Sequence, residues 1–230
     1  MPKTDPAREA LLTALEASGV SIPLWDGILI EETVRIAPGA TILPGCVLRG
    51  NTTIAAGSVI GPGSVLTDAV IGKNCTVKNT YITESTLEEN VSIGPFSQVR
   101  PGCHIAAGCK IGDFVEVKNS HIGQKTAIAH LTYVGDTDCG SGVNFGCGVA
   151  IANFNGKEKF RTTIGDNAFL GCNTNLVAPV TIGAGAYTAA GATVTRDVPE
   201  DAMLIAWSGP PLPPGEKIIS RTPLPPLCKG

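Results

Sequence analysis

Arg100 and Lys118 stand eighteen residues apart, Glu116 and Tyr133 seventeen apart, and His130 lies three residues before Tyr133. If the chain repeats at that interval, the two cations stack on neighbouring turns with the carboxylate and the phenol beside them. Two like charges so close are unfavourable unless an anion or acid sits between them, and a guanidinium beside an ammonium suits a phosphate. The same residues read equally well as a solvated charge ladder in which Glu116 offsets the pair. An imidazole, with an ordinary pKa of about 6.5, fits a proton acceptor at neutral pH. A lone histidine is nevertheless more often structural, and His104 and His121 read that way.

Whether these groups meet depends on the elements that carry them, and the chain has a period of six. Aliphatic residues fall at Ile36, Ile42, Leu48, Ile54, Ile60 and Leu66, slip by five to Ile71, and continue through Val77, Ile82 and Leu87 to Ile93. The register runs on through Val99, Ile105, Ile111, Val117, Ile122, Ile128 and Val134, breaks once at 153–163, and resumes from Ile164 to Val194. A helix needs an apolar period near 3.6 and a plain strand shows period two, so a period of six with recurrent glycines predicts very short strands separated by corners. Such a chain winds into a parallel β-helix with rungs about 4.8 Å apart. In this reading Arg100 and Lys118 share one face, and Glu116 and Tyr133 sit at the adjoining corner on the preceding face. Cys46, Cys75, Cys103 and Cys109 occupy the small inward position and Cys139 the aliphatic one, as small hydrophobes.

The fold expected is therefore all-β. Residues 1–35 form a helical cap and lead-in, 36–198 the β-helix, and 199–230 an extended proline-rich tail. Asp5-Pro6 reads as the N-cap and first residue of a helix with Leu11, Leu12 and Leu15 on its apolar side and Gly19 at its end. Ejecting about seven residues at 153–163 from a regular solenoid marks a loop with Lys157, Lys159 and Arg161, placed for ligand contact.

Composition narrows the functions. With 17 basic and 20 acidic residues and a net charge of −3, the 230-residue chain has no broad footprint for nucleic acid or an anionic membrane. Aromatic residues are 5%, so the core must be thin aliphatic layers. Residues 167–195 carry no charge, but Asn173, Asn175, Pro179 and repeated glycines argue against a membrane span. Eight cysteines contain no CxxC pair, so neither a disulfide framework nor a cysteine metal site is expected. No apolar run precedes the charges at the N-terminus, and a cytoplasmic location is expected.

The repeat resembles that of the hexapeptide-repeat acyltransferases. The strings IGPFSQVRPG, GDFVEVKNS, AHLTYVGD, VNFGCG, NFNGKEKFRTTIGD and LVAPVTIGAGA, all between residues 93 and 186, are similar to the acetyltransferase domain of the bifunctional bacterial enzymes that make UDP-N-acetylglucosamine. The resemblance implies a left-handed parallel β-helix with three hexapeptides per turn, assembled as a homotrimer with sites between adjacent prisms. It implies acetyl-CoA as donor and glucosamine 1-phosphate as acceptor. Arg100 and Lys118 would hold the phosphate and Tyr133 and Asn144 the sugar, with Lys159 a further basic residue sent into the same site. His130 would take the proton from the amine, with Glu116 tuning or orienting it. Cys147, Asn153, Phe154, Cys172 and Ala190 would line the acetyl-CoA groove.

Three positions depart from the family pattern. Phe154 stands where tyrosine is usual, Cys172 lacks the usual hydroxyl, and Trp207 falls where an arginine meets a CoA phosphate, leaving Arg196 or Arg221 as substitutes. The glycine-rich phosphate loop of the nucleotidyltransferase domain is missing, so uridylyl transfer would fall to a separate nucleotidyltransferase. No metal is expected, because histidines 17 and 9 residues apart do not match the pair about five apart in the β-helical carbonic anhydrases that share this fold. Two other readings stand beside this one: an acyltransferase for a different amine, and a non-catalytic scaffold or ligand sensor.

Overall fold

The computed structural model describes residues 5–205 and the backbone of 217–220. The helix spans Pro6–Ala17, and the Asp5 side chain accepts from the backbone N–H groups of Ala7 and Arg8 at its start. Leu12 is buried and joins the core that continues through Val20, Ile22 and Ile28. Arg8 donates from Nε to the Ile28 carbonyl at 2.8 Å, tying the helix to the first rung. The helix thus plugs the open end of the solenoid, where apolar side chains would otherwise meet water. No helix among the described residues is long and apolar enough to cross a membrane.

The rest is a β-solenoid of three sheets. The first sheet runs from Leu29–Ile30 to Thr193–Val194 in ten strands, and the second from Arg35–Ile36 to Thr181–Ile182 in nine. The third begins at Thr41–Ile42 and has eleven strands, all pairing in parallel except the last. Successive strands of each sheet come from successive turns, so residues 16 to 18 apart become neighbours, as Leu48 does with Leu66 and Ile105 with Ile122. The hexad aliphatic of the strands points inward, as Ile42, Leu48, Ile54 and Ile60 do, and this ladder is almost free of solvent contact. Cys46, Cys75, Cys103, Cys109 and Cys139 are buried within it.

Corners separate the strands, and many hold a residue with positive φ, among them Asn79, Asn119 and Asn173 at 42°, 45° and 56°. Asparagine tolerates this left-handed region. Phe96, Phe114 and Leu131 adopt it too, at 58°, 55° and 48°, stacked in one column with their side chains exposed. Among the described residues the inward hydroxyl of Ser58 finds backbone partners, its Oγ donating to the Gly72 carbonyl and accepting from the Cys75 N–H, whereas Thr162 Oγ1 is buried without one.

The solenoid is longer than the repeat suggests. A bridge from Ser21 to Thr41 and the strand Leu29–Ile30 precede residue 36. Beyond 198, Ala202–Ile205 adds a parallel strand to the third sheet, and Lys217–Ser220 pairs antiparallel with it. This part of the expected tail is thus sheet, because Ala202 and Leu204 still alternate inward as buried residues after the hexad spacing has lapsed. The remaining tail residues lie outside those described.

Ile105, with no measurable exposure, leaves a cavity between two rungs when truncated. Ile105→Ala is expected to lower unfolding free energy by about 2–5 kcal/mol in urea denaturation. Val70→Ala, at an exposed position, should stay within about 0.5 kcal/mol.

Candidate active site

On the first sheet, Ser97–Val99, Glu116–Lys118, Tyr133–Gly135 and Ala150–Ala152 are consecutive strands. Val99, Val117, Val134 and Ile151 point inward, so the residues on either side of them form two outward columns. One holds Gln98, Glu116, Tyr133 and Ala150; the other continues from Arg100 through Lys118 and Gly135 to Ala152. Glu116 and Lys118 therefore share a strand, and Glu116 with Tyr133 do not lie on a preceding face as the hexad count suggested. A strand takes one residue from each side of its buried aliphatic, so the sixth and second positions of neighbouring hexads look out from the same sheet.

Arg100 Nη1 donates to Glu116 Oε1 at 2.8 Å, an exposed pair. Lys118 is deeper. Its Nζ lies 3.8 Å from Oδ2 of Asp136, whose side chain is only 7% exposed. Asp136 also accepts from Asn119 Nδ2 at 2.5 Å and from Asn153 Nδ2. Burial pushes its carboxyl pKa up, but the amide donors of Asn119 and Asn153 and the charges of Lys118 and Lys159 outweigh this and hold it below the usual range. The Lys159 ammonium is pushed down from its ordinary pKa by the neighbouring Lys118. Two cations thus converge above one buried anion, leaving an excess of positive charge beside Arg100.

Gly135 makes the space for this arrangement. A Cβ there would lie 2.5 Å from Tyr133 Oη and 2.8 Å from Asn153 Nδ2, so the phenol leans over bare backbone towards the cations. Asn153 is buried at the start of the ejected loop. A hairpin follows, closed by a Phe154–Lys159 bridge and by Asn155 Oδ1 accepting from the N–H groups of Lys157 and Glu158. Arg161 anchors the far end with two donors to Asp138, at 2.8 and 2.6 Å, and Asp138 also meets His121. Phe154 is exposed.

His130 ends the third-sheet strand Ala127–His130, at the corner that leads to Tyr133, in register with Asp113. Its Nδ1 is 2.5 Å from Asp113 Oδ1, and that contact holds the Asp113 carboxyl below its ordinary pKa. Asp113, which the sequence reading did not select, is therefore the carboxylate at the imidazole, while Glu116 is engaged with Arg100. Leu131, Gly148, Asn173 and Gly191 donate in turn to the carbonyls of Asp113, His130, Cys147 and Cys172. Asp113, His130, Cys147, Cys172 and Ala190 accordingly form one column along the corner.

Asn144 is not brought to the first-sheet cluster. It opens a third-sheet strand, between Ala127 and Phe169, and faces away from the side that carries Arg100 and Lys118. Arg196 is exposed near the end of the solenoid, and Trp207 and Arg221 lie outside the described residues. Among the described residues, no three His, Cys, Asp or Glu side chains are grouped to hold a metal ion.

The bacterial transferase hexapeptide profile of six repeats matches residues 33–68, 84–119 and 161–196. The bifunctional protein GlmU of Acetivibrio thermocellus is 47% identical over 201 residues, 87% of this chain and 44% of that protein. The chain carries bacterial transferase hexapeptide repeats and is homologous to part of this GlmU protein. GlmU of Brevibacillus brevis is 46% identical over 199 residues, 86% of this chain and 43% of the relative. The chain thus spans less than half the length of these GlmU proteins. The crystal structure of a Francisella novicida UDP-N-acetylglucosamine acyltransferase superposes with a TM-score of 0.50 at 22% identity, over 84% of this chain and 68% of that one. At that identity the likeness shows the solenoid fold alone.

Asp136 ties the loop to the sheet as an anion. Because its folded carboxyl titrates below the unfolded value of about 3.9, the tie contributes stability at neutral pH and loses it as pH falls through the depressed value. Asp136→Asn is expected to cost about 1–3 kcal/mol at pH 7. It should also flatten the acid limb of a urea-midpoint profile recorded from pH 7 to 3.

Proposed function

We propose that this chain moves the acetyl group of acetyl-CoA to the amine of glucosamine 1-phosphate. The observation that carries the reading is the corner column in which His130, held by Asp113, is followed by Cys147, Cys172 and Ala190 beside the Arg100, Lys118 and Lys159 cluster. The column offers a straight edge along which an extended thioester can lie, with its reactive end at the imidazole. The 47% identity to a GlmU protein supports the same assignment.

An alkyl ammonium must lose a proton before it can attack a thioester carbonyl. In the proposed mechanism Asp113 accepts from Nδ1–H, so Nε2 of His130 carries the free lone pair and takes the amine proton. Arg100, Lys118 and Lys159 meet the phosphate, whose charge relieves the repulsion between the lysines. Tyr133 and Asn144 position the sugar, and Asn153 and Phe154 place the loop along the thioester. Glu116 acts through Arg100, fixing the guanidinium at 2.8 Å.

Asn144 and the cations look out from different sheets of one prism. A single ligand can touch both only when the third sheet of one copy faces the first sheet of another. A homotrimer with its sites between adjacent prisms satisfies this, and sedimentation equilibrium should give three chains. A stable monomer that turns over would remove Asn144 from the site.

The deciding experiment follows CoA release from acetyl-CoA with glucosamine 1-phosphate, beside glucosamine and galactosamine 1-phosphate. Release should require the phosphate. His130→Ala is expected to lower kcat by about 10²–10⁴-fold, and Lys118→Ala to raise KM by about tenfold or more with a smaller effect on kcat. Asp113→Asn should lower kcat and leave KM for the sugar phosphate near its original value. No release with any of the three acceptors, from a folded protein, would overturn the reading in favour of a different amine or a non-catalytic scaffold.

A further inference from the structure

Five of the seven described cysteines are sealed in the core. Burial raises the thiol pKa of Cys46, Cys75, Cys103 and Cys109, and drives that of Cys139 up to about 12. Thiolate chemistry is closed to them, since the thiolate is the nucleophile. The two that reach the surface, Cys147 half-buried and Cys172 exposed, are next to each other on consecutive turns. Asn144 and Phe145 register with Phe169 and Leu170, which aligns Cys147 with Cys172 two residues further on. The Asn173 N–H donates to the Cys147 carbonyl at 2.7 Å, fixing that alignment.

The rungs pack backbone against backbone here, as they do at the other glycines that follow an inward apolar residue, such as Gly123 and Gly165. Gly146 and Gly171 precede the two cysteines, and a Cβ on Gly146 would lie 2.5 Å from the Cys172 nitrogen and 2.8 Å from its Cα. With bare backbone on both sides, the cysteine Cα atoms stand one rung apart, about 4.8 Å, inside the window of about 4.4–6.8 Å that a disulfide bridges. Nothing in solenoid packing requires sulfur at this place, because the next residue up the column, Ala190, is exposed and carries only a methyl group.

We infer that Cys147 and Cys172 form a surface dithiol that a low-molecular-weight disulfide of the glutathione type closes reversibly into a disulfide across two turns. The Cys172 thiolate, the more exposed, attacks one sulfur of the small disulfide, forms a mixed disulfide and releases one small thiolate. The Cys147 thiolate then attacks the Cys172 sulfur, forms the Cys147–Cys172 bond and releases the second small thiolate. The chain loses two electrons and two protons, and the small disulfide gains them as two thiols.

The test treats the folded 230-residue chain carrying Cys228→Ser, which removes the one cysteine outside the described residues, with glutathione disulfide and reads intact mass and peptide maps. The expected product has lost two hydrogen atoms, retains no glutathione, yields a linked Cys147–Cys172 peptide, and returns to the starting mass with dithiothreitol. In the same background Cys147→Ser should instead trap one glutathione on Cys172. A chain that retains glutathione on both cysteines, or remains fully reduced while Cys147→Ser is readily modified, overturns the inference, because the two sulfurs then do not meet.

These readouts do not depend on the function proposed above. The coupling between them does rest on that reading: if the column lines the thioester groove, the oxidised chain should lose CoA release and regain it with dithiothreitol. A disulfide that forms without changing release would count against the groove and leave the dithiol standing.

Discussion

The parallel backbone hydrogen bond between successive turns is the interaction on which everything else rests. Each is worth only about 0.5–1.5 kcal/mol net, but together they fix the register of every turn against the one before. Residues 16 to 18 apart in the chain become neighbours at one strand spacing. Once that register holds, side chains have no choice of partner along the axis. Chemistry on such a scaffold is written in columns, and a functional group acquires its neighbours from the residues one turn below and one turn above.

This explains why the charges are managed as they are. In the Lys118 column the next turn supplies Gly135, which has no side chain, and the following residue, Asp136, sits at a corner with φ 50°, where Asn153 of the ejected loop covers its side chain. The resulting buried carboxylate would be costly alone, because removing a charge from water without partners is strongly unfavourable. Two amide donors and the nearby ammonium groups offset that cost. Since one donor, Asn153, begins the ejected loop and the Asp136 carbonyl accepts from the Thr162 N–H near its other end, the same residue anchors the loop twice. The loop is therefore held by the sheet it serves, and Lys159 arrives beside Lys118 as a consequence.

Much of this was legible in the sequence. The period of six exposes the buried ladder directly, because only one residue in six needs to be aliphatic for the tube to fill. The cysteines could be placed for the same reason: at Cys46 or Cys109 the position demands small size and nothing else. The Asp5-Pro6 start of the helix follows from local capping chemistry. What the sequence did not show is which carboxylate meets which partner. Asp113 and Glu116 are both near His130 in the count, and only the four-residue strands Lys110–Asp113 and Ala127–His130, which carry pairing one residue further towards the corner, put Asp113 against the imidazole. The hexad register assigns a residue to a turn, whereas the corner conformation decides its direction. The faces of Glu116 and Tyr133 do not follow from the hexad count on that account, and the burial of Asp136 depends on the ejected loop that folds back over it, which nothing in the sequence around Asp136 announces.

The columnar rule also bears on why two cysteines can stand where the chain has them. A solenoid edge that must accept a long, narrow ligand needs small side chains in sequence, and cysteine is as small as serine for that purpose. A single such replacement is chemically quiet. Two on consecutive turns are different, because the backbone register that makes the edge straight also brings the two sulfurs to the spacing of one rung. Any property gained from that proximity is therefore not separable from the fold. The register that aligns His130 with Asp113 on one pair of turns is the register that aligns Cys147 with Cys172 on the next pair but one, so the edge cannot loosen its thiols without loosening the Asp113–His130 contact.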